Sequence, residues 1–212
     1  MNPLWRRNSI RHDSAETGTK VNVQCTMLNG ALLIDSLRAL HPLVASDPKR
    51  AQEIIVEMMA LMHYAARMTG EQRILLYYEL DSICHLAQLM KLNYGGKVRI
   101  SLQLPEVGDH WIQPPAMLFA YVESAFRHCI EGEGESFVEI KATVEGDELR
   151  FLCRNSKGRE GQAGAVSAVP IRTGKSPACI DKQRKQPTTR FSTLRTEDSP
   201  DVYSVELTIP LE

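Results

Sequence analysis

The chain has 212 residues, 43% of them apolar and 24% charged, with a formal net charge of −1. That length holds one domain or two small ones, and the composition is ordinary for a soluble globular protein. A balance so near neutral gives the whole chain no electrostatic reason to bind nucleic acid, so no nucleic-acid partner is expected. The cysteines, Cys25, Cys84, Cys129, Cys153 and Cys179, stand apart with no C-x-x-C pair. Such spacing argues against a disulfide framework and against structural zinc, and it reads as reduced thiols in a cytoplasmic protein.

Residues 1–20 are polar, and no apolar run follows Arg6, Arg7 and Arg11. They read as a loose arm rather than a signal peptide. Residues 21–70 carry two helical patterns. Leu33, Leu37, Leu40 and Val44 fall on one stripe, and the helix is expected to stop before Ser46-Asp47-Pro48. Asp47 can cap the next helix, and Pro48 suits a first turn because its missing N–H needs no partner there. The second helix places Ala51, Ile55, Met58, Met62 and Ala65 on one face and ends near Gly70. A hairpin this short buries one face only, so pairing with a second copy as a four-helix bundle is its natural completion.

From residue 71 to 212 the pattern predicts a linker helix and then an α/β layer. Leu76, Leu80, Ile83, Ala87 and Met90 form a third helical stripe that ends at Tyr94-Gly95-Gly96. Glu79 and Asp81 interrupt the apolar stretch Ile74 to Met90, so it does not read as a membrane span. The period then changes to two: Val98, Ile100, Leu102 and Leu104 alternate with polar residues, as in a half-buried strand. Pro114-Pro115 opens a fourth helix, roughly 116–130. Strands follow at 137–144 and 149–153, with Gly146-Asp147 at the turn between them, and a last strand at 202–209. Between 156 and about 190 no period is visible. Residues 156–195 hold nine basic side chains against two acids, Glu160 and Asp181, and read as a lid loop or a disordered segment. The predicted class is therefore α+β: a helical hairpin, then a sandwich with one helix-covered sheet face.

Three sequence stretches carry a family likeness. Pro114-Pro115 leads a helix that runs Glu123-Ser124-Ala125-Phe126-Arg127-His128. Asn29-Gly30-Ala31-Leu32-Leu33-Ile34-Asp35-Ser36-Leu37 precedes Asp47-Pro48-Lys49, and Leu76-x-x-Glu79-Leu80 opens the third helix. Together with the order of elements, these resemble signal-transduction histidine kinases. The branch is the one with an Asn-Pro-His-Phe-Leu-Phe-Asn phosphoacceptor motif beside an ATPase domain of the gyrase/Hsp90/histidine-kinase type. The resemblance covers roughly residues 24–155 and the final strand.

The resemblance implies ATP and Mg²⁺ as cofactors, with Glu123 near the γ-phosphate and Arg127 and His128 favouring phosphate. The family's magnesium asparagine aligns with Ser124, a shorter and poorer ligand for a hard cation. Asn155 stands near the first glycine box, where a neutral hydrogen bond to adenine replaces the usual aspartate. The second glycine box aligns with Gly174 to Arg184, where Pro177 removes a backbone N–H. The phosphoacceptor position is Ala31, whose methyl group cannot accept a phosphoryl group. The expected function is thus that of a catalytically inactive pseudokinase. It would act as a homodimer, as a heterodimer with a histidine kinase paralogue, or by holding a response regulator. An ATP-binding kinase acting in trans and a purely structural adaptor remain the alternatives. For Glu123, a simple i,i+4 ion pair with Arg127 competes with a nucleotide role.

Overall fold

The computed structural model describes residues 30–68, 71–113, 115–129, 136–157 and 193–212. The expected arm at 1–20 and all but the first two residues of the expected lid at 156–190 lie outside them, as do Asn29 and Pro177.

Helix α1 spans Gly30–Ser46 and α2 spans Pro48–Met68. Asp47 separates them as expected from its capping chemistry: its side chain accepts the Arg50 N–H at 3.1 Å, and its carbonyl accepts the Ala51 N–H. Strand β1 (Ile74–Leu75) leads into α3 (Leu76–Tyr94), which stops at Gly95 in the left-handed conformation, φ 60°. Glycine adopts that geometry without a Cβ penalty, and its N–H closes on the Lys91 carbonyl. All five residues of the predicted α3 stripe are buried.

The α2 stripe needs a correction. Ile54, Met58, Leu61 and Tyr64 turn inward, whereas Ile55 and Met62 are 41% and 54% exposed. Apolar residues stand side by side along α2 (Ile54-Ile55-Val56, Met58-Met59, Leu61-Met62), so the helix has two apolar faces, and only one meets the core.

Strand β2 is Val98–Gln103 and β3 is Trp111–Ile112. Helix α4 is Met117–His128, and β4 (Ser136–Glu145), β5 (Glu148–Ser156), β6 (Thr193–Asp198) and β7 (Val202–Pro210) follow. β1 and β3 form a small antiparallel pair. The main sheet is five-stranded in the order β2-β4-β5-β7-β6, with β2 and β4 parallel and the other neighbours antiparallel. A parallel pair needs a crossover, and α4 supplies it. β6 was not apparent in the sequence, because all six of its residues are exposed and its alternation is weak.

One sheet face is apolar and helix-covered. Cross-strand rows run Ala142, Phe151, Leu207 and Ile140, Cys153, Val205, all buried. The other face is polar and wet, with Glu139 and Arg154 paired across strands at 3.2 Å. This one-sided burial is the usual signature of a partly solvated antiparallel sheet. α3 lies at the centre of the core and contacts α2, α4 and β2. No described helix is long and apolar enough to cross a membrane.

Candidate functional site

Helix α4 carries most of the candidate residues, and its amphipathic pattern places them. Met117, Leu118, Phe119, Val122, Ala125 and Phe126 are buried, which leaves Glu123, Ser124, Arg127 and His128 along the remaining side. Arg127 Nη2 donates to Glu123 Oε1 at 3.0 Å, and the Glu123 side chain is only 13% exposed. The i,i+4 ion pair considered from the sequence is therefore present. Ser124 is half-buried beside it. His128, in the last turn, is held below the usual imidazole range by partial desolvation and by the adjacent Arg127 charge.

Asn155 belongs to β5, on the helix-covered face, with Val138 and Tyr203 as its cross-strand neighbours. It is 1% exposed, and its Nδ2 donates to the Ser156 carbonyl at 2.9 Å. The end of β5 approaches the end of α4 at one point. There Cys129 Sγ lies 3.4 Å from Ser156 Oγ, which also accepts the Phe137 N–H at 3.0 Å. His128 and Asn155 thus each flank this junction in sequence. Burial pushes the Cys129 thiol up, and pushes Cys153 up to about 12, so both behave as small apolar groups.

In the arrangement observed, the Glu123 carboxylate is paired with Arg127, Asn155 gives one amide N–H to the backbone, and Ser124 presents a half-buried hydroxyl beside them. Among the described residues no group of three His, Cys, Asp or Glu side chains is arranged to hold a metal ion. A half-open recess of about 310 Å³ lies on the wet sheet face, lined by Arg99, Ser101, Phe137, Val138, Glu139 and Arg154, with none of the candidate residues among them.

The buried carboxylate that organises this region is Glu79, which the sequence presented as an interruption of an apolar stretch and as part of a Leu-x-x-Glu-Leu motif. It is 0% exposed. Its Oε2 accepts the Tyr64 hydroxyl at 2.5 Å and the Ala116 N–H at 2.9 Å, and its Oε1 accepts the Phe119 N–H at 3.1 Å. The first N–H groups of a helix lack internal partners and favour negative charge, so Glu79 caps α4 from a different helix. Two sequence signals pointed there. An acid sits within the apolar stripe of α3, and Pro114-Pro115-Ala116 leads into α4 with no Ser, Thr, Asp or Asn to cap it.

No family model matches the sequence, and no curated protein matches it significantly. Among solved structures, the catalytic domain of the histidine kinase ThkA in a nucleotide-free form is similar over 65% of this chain and 93% of that one, at 12% identity and a TM-score of 0.39. A histidine kinase from Burkholderia phymatum is similar over 86% of this chain and 99% of that one, at 9% identity and a TM-score of 0.41.

Proposed function

We propose that this chain is a histidine-kinase-like signalling protein without phosphotransfer chemistry, working by association with other proteins. The observation that carries the reading is the closed state of Glu123, held at 3.0 Å by Arg127 next to a serine. Phosphoryl transfer depends on positioning and on metal-assisted charge stabilisation. Here the acid and the base that would serve the phosphates neutralise each other instead. Alanine at position 31, in the first turn of α1, supports the same reading, since that side chain has no nucleophile.

The hairpin supports the associative half of the proposal. Ile34, Leu37 and Val44 on α1 are 50–60% exposed, and Val56, Met59 and Met62 on α2 are 53–59% exposed. An apolar surface of this kind is typical of an interaction site. A second copy of the hairpin, or that of a kinase paralogue, would complete a four-helix bundle over it. A response regulator is the other partner class consistent with the resemblance.

Incubation of the purified chain with [γ-³²P]ATP and Mg²⁺ is the direct test. No stable label is expected on the chain. Acid-labile or acid-stable self-labelling above a heat-denatured control would overturn the reading.

A further inference from the structure

Glu79 touches three elements at once. Its own helix is α3, the Tyr64 hydroxyl comes from α2 in the hairpin, and the Ala116 and Phe119 N–H groups begin α4. The Tyr64 ring also packs on Phe119, with ring centroids 5.5 Å apart. Oε2 is shared between the hydroxyl from the hairpin and the first N–H of the α4 entry, so withdrawal of one partner alters what holds the other.

The α4 entry is also the strained point of the backbone. Ala116 has φ 60° and ψ 17°, and no other described non-glycine residue has a positive φ. L-residues avoid this region, and such a conformation persists only where surrounding contacts impose it. The far end of α4 is held separately, because the Tyr94 hydroxyl of α3 donates to the Phe126 carbonyl at 2.9 Å. The first turn of α4 is therefore the end whose order depends on the hairpin, and Glu123 lies between the two anchors.

We propose that Tyr64 and Glu79 form a coupling link, through which the packing of the hairpin sets whether the first turn of α4 is formed or frayed. A shift of α2 moves the Tyr64 hydroxyl. The carboxylate loses or regains a donor, and the strained Ala116 entry is released or clamped. The inference goes beyond the associative function and holds whether or not the chain binds a nucleotide. It gives association at the hairpin a route to the α/β layer.

Amide hydrogen exchange on the full chain, read by NMR, tests it. Leu61→Ala disturbs α2 one turn before Tyr64, at a residue that is 0% exposed. Relative to the amides of β5, exchange at Ala116, Leu118 and Phe119 is expected to accelerate about tenfold, the scale of one charge-assisted hydrogen bond. In a Tyr64→Phe background, which keeps the ring and removes the hydroxyl, the same substitution should change that ratio less than about twofold. Equal acceleration in both backgrounds, acceleration shared uniformly with β5, or none in either background would overturn the proposal. Should Leu61→Ala fail to fold, Leu61→Val supplies the same reading with a smaller packing change.

Discussion

At Glu79, burial and hydrogen bonding act in opposite directions. Loss of water is the larger effect and holds the carboxyl above its usual 4.5, while Tyr64 and the N–H groups of Phe119, Ala116 and Leu118 pull it back. Because the folded value is the higher one, proton uptake favours the folded chain. That contribution is complete below about pH 4.5 and is lost as pH rises through the raised folded value. Glu79→Gln cannot titrate, and its amide group leaves at least one buried N–H without an acceptor. A loss of about 1–3 kcal/mol is expected near the acidic end. The gap to the native chain should then narrow as pH rises, which urea denaturation of both proteins across the range will measure. Ala116 is the second residue of consequence. A β-branched side chain tolerates a positive φ worse than alanine does, so Ala116→Val should cost about 1–3 kcal/mol in the same assay. The α4 partners of Glu79 lie 37 and 40 positions away, so the chain near each shows a buried acid or an uncapped helix start but not that one answers the other.

Among the elements, helices were the more legible. The α3 stripe from Leu76 to Met90 is buried throughout, because one face of that helix is apolar and the core surrounds it. α2 was misread by about one residue, because its neighbouring apolar pairs offer two faces of similar strength. The face turned inward is the one that brings Tyr64 to Glu79, and the other is left on the surface. Met59, 53% exposed in the middle of that surface, is a clean probe of it. Met59→Glu should convert a dimer to a monomer in sedimentation velocity, and the accompanying loss of apparent stability should grow with protein concentration, as linkage to association requires. A native chain that already sediments as a monomer at micromolar concentration would remove the homodimer from the proposal. β6 illustrates the converse case: it exists through its ladder with β7 and has little pattern of its own.

For the molecule as a whole, the pairing of Arg127 with Glu123 and the enclosure of Asn155 predict weak or absent nucleotide binding. A ligand present at a hundred times its dissociation constant stabilises a protein by about 2.7 kcal/mol, which is several degrees in Tm. Millimolar ATP with Mg²⁺ is expected to move the Tm by less than about 1 °C. A shift of several degrees would favour the kinase acting in trans. The helical hairpin, the linker helix, four of the main strands and the α+β class followed from period and turn chemistry, which are local properties of the chain. So did alanine at 31 and serine at 124, which are covalent facts and need no fold. The order β2-β4-β5-β7-β6, the inward face of α2 and the capping of α4 by Glu79 were decided by tertiary packing. The reason is physical: whether a charge is sealed from water, and which donors meet it there, depends on groups that only the folded chain brings together.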